Sequence, residues 1–231
     1  MSASNQRPSR ILILDGGDNV SKTIVANQGF LQSEGKQLIF SDADIVWTLQ
    51  SLDEFMSVIR AGRVAHARKV QKYPSLTDVQ QAGSPASSSL LVEVRELAQF
   101  CSSDGRIVTI QKSAIFPRDT ARSGPGIIGI DRTHFESVGG YNGDLRTYGW
   151  EDIDIVVRVG LFLGVASEAV AHIYEFASEQ TTTDMGARLI SEASNYQACL
   201  ASYCIGILQG TLTNTPPYAV KFDSGLNPEG K

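Results

Sequence analysis

Two short acidic clusters carry the residue types best suited to chemistry in this chain. The first, Asp42-Ala43-Asp44, follows the apolar run Leu38-Ile39-Phe40. Two carboxylates one residue apart on a bend can both face a hard divalent cation, which takes oxygen ligands and bridges to phosphate. Spacing alone is a weak signal, because with 14 Asp in 231 positions chance supplies roughly one Asp-X-Asp per chain. Asp42 and Asp44 would equally serve as turn formers after a strand. The second cluster is Tyr148-Gly149-Trp150-Glu151-Asp152-Ile153-Asp154. Acids at a helix start are favoured by the macrodipole. Two aromatics and a glycine beside three carboxylates also make a small apolar wall with a proton acceptor in it, which suits sugar stacking and general-base work. His172, in Val170-Ala171-His172-Ile173-Tyr174, is on base rates a structural histidine more often than a ligand. His66 and His134 give no further signal.

The elements that must position these residues alternate between strand and helix. Residues 10–14 read as a short buried strand stopping at Asp15-Gly16-Gly17-Asp18, and 21–33 as a helix with Ser21 available as cap. A second strand over 38–40 ends at the first acidic cluster, an amphipathic helix spans 49–60, and 64–70 is a further strand. This alternation predicts an α/β domain with βαβ units and a largely parallel sheet. Residues 77–89, rich in Ser, Gly, Gln and Pro, read as a mobile loop. A helix is expected over 90–100, then a strand over 106–110, an irregular stretch over 111–125 and a strand over 126–130. A short helix over 133–138 stops at Gly139-Gly140. The second acidic cluster opens a helix over 152–163 that ends at Gly164, followed by a last strand over 165–174. Along the helix expected over 185–208, Leu189, Ile190, Ala193, Tyr196, Leu200, Tyr203, Ile207 and Leu208 recur at helical spacing, a core pattern or a dimer face. Residues 214–231 read as a loose tail.

Composition sets the outer bounds. With 42% hydrophobic and 19% charged residues, 231 residues fit one globular α/β domain and exclude disorder throughout. Apolar runs such as 153–159, broken by Asp154 and Arg158, stop well short of the roughly 18 residues of a membrane span. Residues 1–10 are polar and lack the apolar core of a signal peptide, so a cytoplasmic location is expected. Cys101, Cys199 and Cys204 are odd in number and lack metal-type spacing, which predicts reduced, mostly buried thiols. A net charge of −5 argues against nucleic acid as a partner.

From residue 11 to 175 the chain resembles nucleotide-sugar glycosyltransferases of the GT-A fold, a Rossmann-like mixed, mostly parallel sheet flanked by helices. Ser21-Lys22-Thr23-Ile24-Val25-Ala26-Asn27-Gln28-Gly29-Phe30 looks like the segment before the metal strand of those enzymes. Leu38-Ile39-Phe40-Ser41-Asp42-Ala43-Asp44-Ile45 resembles that strand with its Asp-X-Asp motif. Residues 126–135, then Val138-Gly139-Gly140-Tyr141, then Gly149-Trp150-Glu151-Asp152-Ile153-Asp154, look like the acceptor-side block. That block is shared by β-1,4-galactosyltransferases, chondroitin-type polymerases and polypeptide N-acetylgalactosaminyltransferases. It is the specific part of the likeness and closes on Val170-Ala171-His172-Ile173, similar to the family's metal-ligand histidine.

The resemblance implies a single domain over 1–213. Its nucleotide and metal half covers about 10–75, its acceptor half about 105–175, and the C-terminal helix and tail follow. It implies that Asp44 and His172 ligate Mn²⁺ or Mg²⁺, with Asp42 on the ribose or the metal's water shell, Asp15 near the uridine and Lys22 facing the diphosphate. Asn27 and Gly126 fall in the nucleotide-sugar segments. Asp152 is the implied base on the acceptor hydroxyl, Glu151 a hydrogen-bonding partner of donor or acceptor sugar, and Trp150 with Tyr148 the sugar platform. Glu175 is available as a second ligand near His172. The implied partners are a UDP-sugar and a glycan or other hydroxyl acceptor, with inversion following from the carboxylate base. A homo-oligomer through the C-terminal helix is compatible with the pattern. Relatives usually place another strand and helix before the strand at residue 11, so a second reading is a shortened, non-catalytic binding or partner subunit. A nucleotidyltransferase ranks last, because such enzymes carry a Gly-rich basic loop where Asp15-Gly16-Gly17-Asp18 is acidic.

Overall fold

A computed structural model describes residues 8, 10–14, 21–74, 77–78, 94–115, 121–145, 148–176, 185–212 and 220–223. The expected order of strand and helix holds through the first half: β1 (Leu12–Leu14), α1 (Lys22–Gln32), β2 (Gln37–Phe40), a two-residue β3 (Ile45–Val46), α2 (Leu49–Arg60) and β4 (Val64–Tyr73). Thr48 and Ser51 start α2 with a reciprocal cap, each side chain accepting from the other's backbone N–H at 3.1 and 3.0 Å. Ser21 stands at the N-cap of α1, but its hydroxyl meets Thr23 and the Leu145 carbonyl instead of the helix N–H groups.

The second half departs from expectation. Of the helix predicted over 90–100, residues 90–93 lie outside the described residues and the rest is a strand, β5 (Val94–Cys101), paired along its whole length with β6 (Ile107–Ile115). Ala98 and Phe100 turn toward the core while Leu97, Gln99 and Cys101 stay exposed, a period of two that tertiary pairing imposes on a helix-like composition. Asp104-Gly105 makes the tight turn between them, with Gly105 N–H bonding Ser102 O at 3.0 Å. The stretch expected to be irregular belongs largely to β6 and to β7 (Arg122–Asp131). There follow α3 (Arg132–Ser137), α4 (Glu151–Leu163), which stops at Gly164 as expected, β8 (Ser167–Phe176), α5 (Met185–Cys204) and β9 (Val220–Asp223). Of the loop expected over 77–89, residues 79–89 lie outside the described residues.

The sheet is mixed, with strand order β3-β8-β4-β7-β6-β5 and β2 also against β7. It is not largely parallel: among the described strands β4 and β8 run parallel, and the other pairs are antiparallel. The physical reason is that β5, β6 and β7, successive in sequence, pair antiparallel, which needs no crossover helix between them. Side chains alternate between the two faces. On one face Phe55, Val58 and Ile59 of α2 cover Ala65, Ala67, Val70, Ile127 and Ile173. On the other, α1, α3 and α4 pack on Val64, Ile128 and Ile130 through Phe30, Phe135 and the apolar side chains of α4. β1 is half exposed and forms a separate two-stranded sheet with β9, so part of the expected loose tail is ordered by pairing with the start of the chain.

α5 does not pack as a core helix. Leu189 and Ile190 are 60% and 72% exposed, and its buried contacts run through Asn195 and Cys199. Cys101 and Cys204 are exposed and only Cys199 is buried, against the expectation of mostly buried thiols; all three are unbridged. Among the described residues no helix is long and apolar enough to cross a membrane.

Candidate active site

Lys22, the first residue of α1, gathers the site. Its ammonium lies 3.1 Å from an Asp42 carboxylate oxygen and 3.2 Å from Asp152 Oδ2, and donates to the Gly126 carbonyl at 3.2 Å. The bend after β2, the middle of β7 and the N-terminus of α4 therefore meet at one cation. Burial works against that charge, but the attractions of Asp152, Asp42 and Glu151 outweigh it and hold the pKa above that of an ordinary lysine. Beside Asp152, Glu151 is pushed toward its neutral form: burial first, then the Asp152 charge, raise its carboxyl to about 7. The pair thus offers a proton acceptor next to a group that keeps its proton almost to neutrality, a combination suited to acid–base work.

Tyr141 forms the floor beneath these acids. It is 1% exposed, with its ring edge-on to Phe40 at 5.3 Å and to Phe135 at 5.7 Å. Its hydroxyl is buried and has no well-formed hydrogen bond among the described residues. Burial, followed by the charges of Asp152, Glu151 and Asp42 and contact with Asp152, pushes its pKa well above the phenolic range. Its main chain is held by Asn27, which donates from Nδ2 to Tyr141 O at 3.0 Å and accepts the Tyr141 N–H at 2.8 Å. Both functions of that buried amide are engaged, so Asn27, expected among the nucleotide-sugar residues, acts here as a clamp on the turn. Gly140 is required at the same turn: its φ is +68°, and a Cβ would lie 2.6 Å from Asn27 Oδ1.

The aromatics of the second cluster separate. Tyr148 is 46% exposed with the Arg188 guanidinium 4.4 Å over its ring, and its main chain is tied to Ser191 and Asn195 of α5. Gly149, at φ +92°, lies so close to α5 that a Cβ would come within 2.8 Å of Glu192. Trp150, the other expected platform, is 6% exposed and packs against Tyr196 at 4.5 Å and Phe100 at 6.4 Å, lining a cleft of about 510 Å³ between β5 and α5. The third acid, Asp154, leaves the site altogether. It pairs with Arg158 at 2.8 Å in the core and accepts from Tyr203 OH at 2.7 Å, while Arg158 holds the Val138 and Gly140 carbonyls at 2.8 Å each.

The expected metal residues are not gathered in one place. Asp42 and Asp44 are half-buried on the bend between β2 and β3, and Asp44 O accepts from Phe176 N–H at 3.1 Å. His172 stands opposite Lys69, four residues along β8 from Phe176, which is roughly 13 Å of strand. Glu175 is paired with Lys72 at 2.9 Å. Among the described residues no group of three or more His, Cys, Asp or Glu is close enough to hold a metal ion. Asp15 lies outside the described residues. After the bend that carries Asp42 and Asp44, Trp47 donates from its indole N–H to Ser41 Oγ at 3.2 Å, next to Asp42, and stacks edge-on to Phe55 at 5.0 Å.

A family model described as glycosyltransferase like family 2 matches residues 12–208, which span every element from β1 to α5 and every site residue named above. The chain belongs to that family. No match was found among curated proteins. In this GT-A glycosyltransferase Lys22, Asp42, Gly126, Glu151 and Asp152 lie at one locus. Sequence reasoning passed over Tyr141 and Arg158 as site and brace. Tyr141 had a signal in Gly139-Gly140-Tyr141, a glycine turn that delivers an aromatic; Arg158 had one in its i, i+4 spacing from Asp154.

Proposed function

We propose that this glycosyltransferase moves a sugar from a UDP-sugar to a hydroxyl of a glycan or similar acceptor, with inversion at the anomeric carbon. The observation that carries the reading is the Lys22 ammonium set between Asp42 and Asp152 at 3.1 and 3.2 Å, joining the donor-side and acceptor-side motifs. Asp152 takes the proton from the acceptor hydroxyl as that oxygen bonds to the anomeric carbon and the bond from that carbon to the diphosphate oxygen breaks. Glu151, protonated to near neutrality, donates to a sugar hydroxyl, and Lys22 turns to the diphosphate as its charge grows.

The donor set suits a divalent cation that takes most of its ligands from a diphosphate: two carboxylates on one bend, one of which already holds an ammonium. Asp42 and Asp44 would hold Mn²⁺ or Mg²⁺ there, and the ion would supply Lewis-acid stabilisation of the departing nucleotide. The test is a screen of UDP-sugars for transfer and slow hydrolysis with and without Mn²⁺. Turnover with one donor, lost on chelation and restored by Mn²⁺, is expected. No turnover, and no heat with UDP and Mn²⁺ at millimolar nucleotide, would sink the reading.

A further inference from the structure

The placement of Tyr141 is determined from every side except its hydroxyl. Asn27 fixes its N–H and its carbonyl, and Thr211 N–H adds a bond to that carbonyl at 3.1 Å. Gly139 and Gly140 turn the chain in left-handed conformations, and Arg158 anchors the carbonyls on either side of Gly139. Phe40 and Phe135 set the plane of the ring. A phenylalanine would satisfy all of these contacts. The hydroxyl adds a buried polar atom without a well-formed partner, which is costly unless it serves the acids it stands against.

We infer, resting on the transferase reading above, that Tyr141 is a positioning residue for the catalytic carboxylate: its hydroxyl donates to Asp152 and holds it toward the acceptor. On this inference the two donors divide the labour: Lys22 donates to Asp152 Oδ2 at 3.2 Å, and the tyrosine hydroxyl, buried as Oδ1 is, serves Oδ1. Once diphosphate oxygens are present, Lys22 has a stronger partner, and the hydroxyl is the donor that keeps Asp152 from turning with it. The hydroxyl reaches the reaction through Asp152 and is too enclosed to meet a substrate itself.

Two measurements on the full chain decide it. In a urea-unfolding cycle of Tyr141→Phe, Asp152→Asn and the double variant, the unfolding constant of the double variant is expected to differ at least about threefold from the product of the single changes. A smaller departure overturns the contact. In the transfer assay Tyr141→Phe is expected to lower kcat about tenfold while the donor KM stays within about twofold, a split that loss of general packing would not produce. An unchanged kcat overturns the positioning role. If the wild-type protein transfers no sugar from any donor, the proposed function fails, while the unfolding cycle still decides the Tyr141–Asp152 contact.

Discussion

In the first turn of α4, Glu151 and Asp152 meet Lys22 and the floor of Tyr141, whereas Asp154, two residues on, meets Arg158 and Tyr203 inside the core. The three acids share a residue class and a helix start, so the macrodipole favours all of them equally. What separates Asp152 from Asp154 is the 100° step of the helix, which turns position i+2 roughly 200° away from position i, while Glu151 stays outside the core because it is the first residue of the helix. The side of Asp152 faces the proposed reaction site and the side of Asp154 a buried brace. The brace in turn holds the Val138 and Gly140 carbonyls, and so the turn that carries Tyr141 beneath the site. An acidic motif that looks uniform along the chain is therefore two devices, one chemical and one mechanical.

Substitutions can break that contrast in graded steps. Asp152→Asn should lower sugar transfer by about 10²–10⁴-fold in a turnover assay while the urea midpoint moves little. Asp154→Ala should do the reverse, lowering stability by about 3–5 kcal/mol in urea unfolding because Arg158 is left charged and buried without its carboxylate. Lys22→Met should weaken donor binding about tenfold by calorimetry, the scale of a lost charge-assisted hydrogen bond. The smallest effect concerns pH. Because Glu151 is raised from 4.5 to about 7, the folded chain keeps a proton that the unfolded chain has released, so stability should fall as pH rises through that window. Thermal melts at pH 5 and pH 7.5 should show that slope in the wild type and a flatter one in Glu151→Gln.

How much of this was legible beforehand depends on the range of the interactions. α2 was readable to the residue because its cap and its apolar face are local. Glycine stops placed the ends of α3 and α4 for the same reason. β5 was misread because Leu97, Ala98 and Phe100 fit a helical stripe as well as a strand, and only pairing with β6 chooses between them. The exposed apolar face of α5 has the same spacing as a core face, so periodicity could not say that Leu189 and Ile190 would lie outside. At the site, the motifs named Lys22, Asp42 and Asp152, but their meeting depends on contacts across 20 and 130 positions. Asn27 was expected at the donor because it sits in the matching segment; its two bonds to the Tyr141 backbone are visible only in three dimensions.

On the proposed reading, the chain's two tryptophans divide between the donor and acceptor halves of the site. Trp47 bonds to Ser41, the neighbour of Asp42, and Trp150 directly precedes Glu151. Each half therefore carries its own optical reporter, one half-exposed and one enclosed, and indole emission can follow events that no dye needs to mark. With Trp150→Phe, nucleotide and metal should change the emission of Trp47. With Trp47→Phe, an acceptor should change that of Trp150, so the order in which the two substrates arrive becomes a measurable sequence of two signals.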